Sequence, residues 1–345
     1  MTVRRVLAAP DKFKGTASAH DVASAIGHAC WEAGVDVVET PMSDGGDGLL
    51  DVLGGANRTS RVTGPLGQPV DAAWRMHRGT AVIEMAAASG LVLAGGAASN
   101  DPLDATTEGV GQLIDHALDA NARRIIVGLG GSATTDGGYG AIRAINGVAR
   151  IDNVELLVAC DVETRFVDAA AVFGPQKGAT PSQVKLLTNR LQRLVQMFAE
   201  EFDADIAGLP GGGAAGGLGG ALAALGGRLV PGVELVADEL DLFDHLDPDG
   251  DDLVDLVITG EGALDATSFD GKVVGGLLEF ADEAGVPVVA VVGSADPDVV
   301  DAWRDRIEVL VLADLFGTDR ALAEPKACVT EAVTAYLTDL AEPHS

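Results

Sequence analysis

Val3-Arg-Arg-Val-Leu-Ala-Ala-Pro-Asp-Lys-Phe-Lys-Gly15 is a short apolar run followed by a loop of lysines and a glycine. Residues 3–9 have the length and the aliphatic content of a buried strand. Ser18 and Asp21 then form a capping box, which predicts a helix to about residue 32, and Gly34 is suited to end it. Residues 35–40 predict the next strand. This alternation of strand and helix indicates an α/β protein.

The same alternation continues along the chain, with a change of pattern after Val62. There, residues 64–67 and 70–76 predict a hairpin, so we place a domain boundary near this point. Further strands are predicted at residues 80–84, 124–129, 156–159, 253–259, 287–292 and 309–312. Further helices are predicted from residue 48, at 106–120, from 139, and at 181–202, 216–225 and 326–340. A length of 345 residues favours two domains.

Composition excludes several classes of protein. The formal net charge of -29 lacks the basic footprint that nucleic acid or an anionic membrane requires. Residues 206–227 carry no charge, but glycine and Pro210 make a transmembrane helix unfavourable. The beginning of the chain does not fit a signal peptide, and three widely separated cysteines indicate a reducing cytoplasm. The acidic excess is equally compatible with a halophilic host and with an ordinary acidic protein.

Lysine is scarce, and its placement is informative. Four of the six lysines lie in loops rich in glycine and acidic residues: Lys12, Lys14, Lys177 and Lys272. A compact positive charge beside backbone N–H groups and carboxylates is suited to anionic phosphate with a divalent cation. We therefore expect a phosphate ligand at these loops.

Five predicted strands are followed by loops that combine glycine with Asp, Glu, Ser or Lys. The loops are residues 10–15, 43–48, 130–138, 160–161 and 260–265. Ligands of α/β sheets bind at the carboxyl ends of strands, where glycine lets backbone N–H groups approach phosphate oxygens. Carboxylates hold Mg²⁺ or accept a hydroxyl proton, and lysines offset the transferred charge. Together these groups predict phosphoryl transfer from a nucleotide to a small hydroxylated acceptor.

Several competing motifs fail on their spacing or context. The acidic run at residues 247–252 has Gly250 in fourth position, whereas a calcium loop needs glycine in sixth. Gly211-x-Gly213-x-x-Gly216 follows no clear strand, so we reject a dinucleotide site and leave phosphate binding or tight packing open. Lys272 is not in a Walker A loop, and Ser132 lacks the surroundings of a nucleophilic serine, so an anion contact is favoured there.

Long motifs along nearly the whole chain resemble, in order, those of the bacterial-type glycerate kinase family. The motifs are Ala9-Pro-Asp-Lys-Phe-Lys-Gly15, Pro41-Met-Ser-Asp-Gly-Gly-Asp-Gly48, Ile83-Glu-Met-Ala-Ala-Ala-Ser-Gly-Leu91, Gly130-Gly-Ser-Ala-Thr-Thr-Asp-Gly-Gly138, Phe173-Gly-Pro-Gln-Lys-Gly-Ala179, Gly213-Ala-Ala-Gly-Gly-Leu-Gly219 and Thr259-Gly-Glu-Gly262. The resemblance implies phosphorylation of D-glycerate by ATP with Mg²⁺, commonly to 2-phosphoglycerate. It also implies a discontinuous Rossmann-like domain, residues 1–62 and 236–345, an inserted mixed α/β domain, residues 63–235, and an active site in the cleft between them.

The predicted site residues fall into groups by role. The residues expected to act in catalysis, by offsetting charge, as general base or as Mg²⁺ ligands, are Lys12, Lys14, Asp44, Asp136 and Lys272, with Asp44 and Asp47 as the metal ligands. The residues expected to bind substrate or nucleotide are Ser43, Gly45, Gly46, Gly130, Gly131, Ser132, Thr134, Asp161, Lys177, Glu261 and Asp265. Lys177 has no assigned chemistry.

The chain also departs from the family pattern at strand-end loops. It is shorter than expected between Gly140 and Leu156, and Thr164-Arg165 and Ala263 stand where other residues are typical of the family. These changes leave open a kinase or Mg²⁺-dependent phosphatase for another small hydroxy acid or sugar acid, and a non-catalytic acid sensor. The regiochemistry of the product also stays open. The number of subunits stays open as well, and a homodimer is one of the alternatives.

Overall fold

Residues 3–341 are described by a computed structural model, which contains one five-stranded and one six-stranded β-sheet. The chain divides into two units, each with its own sheet. The first consists of residues 1–44 and 233–345, and the second of residues 45–232. The predicted α/β class is therefore confirmed.

The first unit begins with a strand, a helix and a strand: β1 (Arg5–Ala8), α1 (Ala19–Ala33) and β2 (Asp36–Glu39). The Oγ of Ser18 accepts a hydrogen bond from the N–H of Asp21, and the Asp21 carboxylate accepts one from the N–H of Ser18. Gly34 ends the helix in the left-handed conformation, with φ of 70°. The predicted capping box and helix end are thus confirmed.

The second unit holds strands and helices between residues 49 and 230. They are α2 (Leu49–Val52), β3 (Arg58–Thr63), β4 (Pro69–His77), β5 (Thr80–Glu84), α3 (Ala86–Ser89), α4 (Glu108–Asp119), β6 (Arg124–Gly128), α5 (Tyr139–Ala144), β7 (Glu155–Ala159), α6 (Ala169–Phe173), α7 (Pro181–Phe202), α8 (Ala214–Ala224) and β8 (Arg228–Val230). The strand order is β3-β4-β5-β6-β7-β8, in which the first two pairings are antiparallel and the others parallel. The predicted hairpin, the strand at residues 80–84 and the long helix at 181–202 are confirmed.

The chain then returns to the first unit. Its elements are α9 (Gly232–Glu239), β9 (Leu256–Leu264), α10 (Val273–Ala284), β10 (Val288–Ala295), α11 (Pro297–Trp303), β11 (Glu308–Val311), α12 (Leu312–Phe316), α13 (Thr318–Ala323) and α14 (Pro325–Ala341). The strand order β11-β10-β9-β1-β2 is parallel throughout. Short 3-10 helices span Val148–Asn153, Phe166–Asp168, Pro175–Lys177, Leu242–His245 and Ala266–Phe269.

Both bounds of the strand predicted at residues 253–259 were wrong. β9 begins at Leu256 and continues through Gly260-Glu-Gly-Ala to Leu264, a stretch predicted to be a loop. The continuation is possible because β10 also extends to Ala295, and Leu264 pairs with that residue. The neighbouring strand therefore decides where β9 ends, although glycine on its own favours a turn.

Each unit has its own apolar core. Residues of the first core include Val6, Ile26, Ile258, Val291 and Val329. Those of the second include Ile83, Leu113, Ile125, Phe166 and Phe198. Full burial of one such side chain stabilises the fold by about 1.5–3 kcal/mol, so the two cores anchor the strand ends that carry the predicted site residues.

The division between the units differs from the domain boundary that we expected. The chain first changes unit after Asp44, and not near Val62. Val62 pairs with Val70 in the β3–β4 hairpin, so it lies within the six-stranded sheet. The Rossmann-like description and the active site between domains stay predictions.

The features that bear on membranes and on cysteine chemistry are simple. No helix among residues 3–341 is both long and apolar enough to cross a membrane. All three cysteines are free thiols, and Cys30 and Cys328 are buried. The cytoplasmic location that we expected from the cysteines stays a prediction.

Candidate functional sites in the two units

In the first unit, two loops and the end of a strand lie side by side at one edge of the sheet. The N–H of Asp11 donates to the carbonyl of Gly260 over 2.8 Å, and the N–H of Met42 donates to the carbonyl of Pro10 over 2.8 Å. The loop after β1 therefore lies beside β9, and the loop after β2 lies beside the loop after β1. This order is the order of the strands in the sheet, in which β9 pairs with β1 and β1 pairs with β2. This arrangement brings together three carboxylates from distant parts of the sequence, those of Asp11, Asp44 and Glu261.

These carboxylates are held in an environment that disfavours their charge. Burial raises the pKa of Asp11 to about 6, against the lowering effect of Lys12 and with a further rise from Asp44. Burial also raises the pKa of Glu261 to about 7, although Ser268 and Lys272 act in the opposite direction. The Oε1 of Glu261 is buried without a hydrogen-bond partner among the described residues. Raised carboxyl pKa values and an unpartnered buried oxygen are typical of a site that receives a cation or a proton.

Two of the predicted lysines lie beside these carboxylates. Lys12 Nζ is 3.7 Å from Asp11 Oδ1. Lys272 Nζ donates to the Oγ1 of Thr267 over 2.6 Å, and its charge lowers the pKa of Glu261. Both amines are therefore placed to offset negative charge at the site.

Lys14 and Asp265 are also in the first unit, but they are engaged differently. Lys14 is exposed, and its backbone lies close to Gly262. A Cβ on Gly262 would lie 3.1 Å from the backbone nitrogen of Lys14. Asp265 Oδ1 accepts from the N–H and the Oγ1 of Thr267, over 2.8 and 2.6 Å. Asp265 thus caps the 3-10 helix Ala266–Phe269 and holds the hydroxyl that Lys272 contacts.

The first-unit site fits Mg²⁺ only as a partial ligand set. No group of three His, Cys, Asp or Glu side chains in the described part of the chain is arranged to hold a metal by itself. Mg²⁺ is usually bound by one or two carboxylates together with phosphate oxygens and water, so a complete protein set is not required. The neighbouring carboxylates of Asp11 and Asp44 and the buried oxygen of Glu261 are suitable for that purpose.

In the second unit, the glycine-rich loop (residues 130–138) follows β6. A Cβ on Gly130 would lie 2.6 Å from the Cα of Gly46, and one on Gly128 would lie 2.5 Å from the carbonyl of Gly45. A Cβ on Gly45, whose φ is +84°, would lie 2.7 Å from Ala159. Glycine is thus required where these backbones approach. The structure brings together the predicted residues Gly45, Gly46 and Gly130.

The first part of the glycine-rich loop, residues 130–132, has free hydrogen-bond donors. Among the described residues, no acceptor is bonded to the N–H groups of Gly130, Gly131 or Ser132. By contrast, the N–H of Ala133 donates to the carbonyl of Ser89 over 2.9 Å. Neighbouring N–H groups without acceptors are suited to bind an anion such as phosphate.

Thr134 and Asp136 lie in the second part of the loop, residues 133–138. Thr134 is fully buried, and its Oγ1 donates to the carbonyl of Ala215 over 3.4 Å. Asp136 Oδ2 accepts from the N–H and the Oγ1 of Thr107, both over 2.8 Å, and from the N–H of Gly140. Burial raises the pKa of Asp136, while these hydrogen bonds oppose the rise. These contacts engage Asp136 in joining the starts of α4 and α5, and its catalytic role stays a prediction.

The other predicted binding residues of the second unit are also engaged by the protein. Lys177 is only 3% exposed, and its Nζ donates to the carbonyl of Thr134 over 2.7 Å. Asp161 Oδ1 accepts from the N–H of Gly232 over 2.8 Å.

Two further predicted residues lie in the loop after β2, near the point where the chain changes unit. Ser43 is fully buried and belongs to the first unit, with Asp44. Asp47 is exposed and belongs to the second. The pairing of Asp44 with Asp47 at one metal ion therefore stays a prediction.

The motif Gly211-x-Gly213-x-x-Gly216 is explained by tight packing. A Cβ on Gly216 would lie 2.0 Å from the carbonyl of Thr134, and one on Gly213 would lie 2.5 Å from the carbonyl of Arg165. Gly216 and Gly217 also adopt left-handed backbone conformations within α8. This segment therefore packs against the backbone of the glycine-rich loop at Thr134.

Sequence reasoning missed three residues that organise these sites. Asp11 lies in the loop of Lys12 and Lys14, where the sequence pattern points to the two amines and not to the carboxylate. Glu84 accepts from the backbone N–H groups of Gly48 and Leu50, and its place in the motif Ile83–Leu91 that resembles the family was the only signal. Asn100 donates to the carbonyls of Ala133 and Lys177, and no local pattern in the sequence indicates that contact.

Comparison with known proteins gives matches along almost the whole chain. The model of the glycerate kinase family matches residues 6–152 and 145–340. The two segments overlap at residues 145–152, inside the stretch that we expect to be shortened. Glycerate 2-kinase of Escherichia coli (strain K12) is 38% identical over 359 aligned residues, which cover 92% of this chain and 93% of that protein. Glycerate kinase of Bacillus subtilis (strain 168) is 39% identical over 346 residues, with 89% of each chain covered.

A solved structure is similar over the same extent. A crystal structure assigned as a glycerate kinase 2 from Salmonella typhimurium LT2 superposes with a TM-score of 0.81 at 34% identity, and 98% of each chain is covered. The matches extend through both units and include every loop described above. This chain belongs to the glycerate kinase family.

Proposed function

We propose that the protein transfers a phosphoryl group from ATP to D-glycerate with Mg²⁺ and that the product is 2-phosphoglycerate. The observation that carries this proposal is the cluster of Asp11, Asp44 and Glu261 beside the amines of Lys12 and Lys272. Carboxylates with raised pKa values and compact cations are the groups that phosphoryl transfer uses. The names of the relatives supply the substrate.

Within that cluster, Asp11 is the proposed general base. Its pKa of about 6 lies near the pH at which a cytoplasmic enzyme works, which favours proton transfer from the glycerate hydroxyl. Asp44 and Glu261 would hold Mg²⁺, which when bound neutralises phosphate charge. Lys12 and Lys272 stabilise the negative charge of phosphate or of the glycerate carboxylate.

The glycine-rich loop is the proposed phosphate-binding element of the second unit. Its N–H groups at Gly130, Gly131 and Ser132 have no acceptor among the described residues, and the Ser132 side chain carries a further donor. Backbone donors bind phosphate oxygens without the cost of ordering a long side chain. We assign these donors to the phosphates of ATP.

The test is a substrate panel with two readouts. ADP release is measured with ATP, Mg²⁺ and D-glycerate, L-glycerate or glycolate, and phosphate release is measured from phosphoglycerate. The proposal predicts ADP release with D-glycerate, and ³¹P NMR of the product should show a phosphate on the 2-hydroxyl. Phosphate release from phosphoglycerate without ADP formation would indicate a phosphatase. Binding of glycerate without turnover would indicate a sensor.

A further inference from the structure

The side chains of Lys177 and Asn100 donate hydrogen bonds to two successive carbonyls of the glycine-rich loop. Lys177 Nζ donates to the carbonyl of Thr134 over 2.7 Å. Asn100 Nδ2 donates to the carbonyl of Ala133 over 3.0 Å and to that of Lys177 over 2.9 Å. The amide of Asn100 therefore ties the segment that carries Lys177 to the same loop.

The position of Lys177 excludes direct contact with a ligand in this conformation. Its side chain is almost fully buried and lies near the ring of Phe173, with Nζ 5.9 Å from the ring centre. The segment is held firmly, because Gly178 has φ of +91° and a Cβ there would lie 2.2 Å from the carbonyl of Ala97. An amine at this depth has lost its hydration, and such burial is unfavourable unless the amine has a specific partner.

The two carbonyl contacts act on residues 130–132 through the backbone. Peptide units are planar, so fixing the carbonyls of Ala133 and Thr134 fixes the orientation of the two peptide planes that follow those residues. The bond from the N–H of Ala133 to the carbonyl of Ser89 fixes the plane before them, which directly follows Ser132. Residues 130–132 are thus held at their carboxyl end, and their N–H groups need no protein partner to keep their orientation.

We propose that Lys177, together with Asn100, is a positioning residue that orients residues 130–132 for phosphate binding. The inference rests on the proposed function, because it assigns those N–H groups to the phosphates of ATP. It also explains why a lysine is buried in a loop of a chain with few lysines. A methylene chain with one terminal donor reaches a deep carbonyl that a shorter polar side chain would not.

The test compares Lys177→Met and Asn100→Ala with a control, Lys185→Met, which alters an exposed lysine on α7. Both loop variants should raise the KM for ATP by about tenfold, the factor expected for loss of one hydrogen bond of roughly 1.5 kcal/mol. The KM for D-glycerate should stay near the wild-type value, and the control should match wild type in both constants. If Lys177→Met fails to fold, Asn100→Ala decides the result by the same criterion.

Hydrogen exchange supplies a readout that does not depend on activity. Amides of residues 130–138 should exchange faster in both loop variants, while those of β5 stay protected as in wild type. Unchanged exchange and an unchanged KM for ATP would overturn the inference. An equal rise in the KM for ATP and for D-glycerate, accompanied by a lower melting temperature, would also overturn the inference, because it indicates a merely structural role. Absence of kinase activity in the wild type would instead refute the proposed function, and the exchange data alone would then judge the positioning role.

Discussion

Glu84, the last residue of β5, accepts a hydrogen bond from the backbone N–H of Gly48, with 3.0 Å between Glu84 Oε1 and the nitrogen. The same oxygen accepts from the N–H of Leu50 over 2.8 Å. One carboxylate therefore binds two donors at the start of α2, where a helix leaves its first N–H groups without partners. This contact fixes the second half of the loop after β2 to the six-stranded sheet.

Replacing Glu84 should destabilise the second unit. Glu84→Ala leaves two N–H groups without their acceptor and should lower the free energy of unfolding by about 1–3 kcal/mol. Glu84→Gln keeps one acceptor oxygen, so its free energy of unfolding should fall by less than that of Glu84→Ala. Urea denaturation measures both values. A loss that is the same for Gln and Ala would contradict the account.

Asp136 should contribute to stability through its hydrogen bonds. Asp136→Asn puts its amide NH₂ group against the donors of Thr107 or against that of Gly138, so the free energy of unfolding should fall by about 1–3 kcal/mol. The control is Asp104→Asn, which alters an exposed carboxylate three residues before Thr107. A fully stable Asp136→Asn protein would contradict the structural role, and a large loss of kcat in that protein would support the catalytic role.

Glu261 should make stability depend on pH. Its folded-state pKa of about 7 lies above its ordinary value of 4.5, so between these values the folded chain keeps a proton that the unfolded chain loses. Stability therefore falls as pH rises through this window and is constant above it. Glu261→Gln removes the titration and should be more stable than wild type at pH 8, by about 1–3 kcal/mol, but not at pH 4.5.

Thermal unfolding at both pH values measures that difference. Glu283→Gln, which changes an exposed carboxylate, should follow wild type at each pH. If the advantage of Glu261→Gln were the same at pH 4.5 and pH 8, the raised pKa would be wrong.

Local patterns were sufficient to predict most of the elements. The strand at residues 80–84 is rich in β-branched residues up to Glu84, and the helix at 181–202 begins with a capping box at Thr180, so both elements were visible in the sequence. The end of β9 was not visible, because pairing with β10 carries the strand through glycines that on their own favour a turn.

The site was predictable as a set of loops but not as a set of contacts. A lysine beside glycines suggested a ligand for Lys177, yet the contact that ties it down comes from Asn100, 77 residues away. Asp11 was missed for a related reason. Its raised pKa arises from burial and from Asp44, which the pairing of β1 with β2 brings close.

The central claim is that the amines of the first unit act in phosphoryl transfer, and the most direct test is the kcat/KM of lysine variants with ATP, Mg²⁺ and D-glycerate. Lys12→Ala and Lys272→Ala should each lower kcat/KM by roughly 10²–10³, as loss of an electrostatic stabiliser does. Lys185→Ala, at an exposed position on α7, should leave it unchanged. Wild-type kcat/KM in both Lys12→Ala and Lys272→Ala would contradict the account.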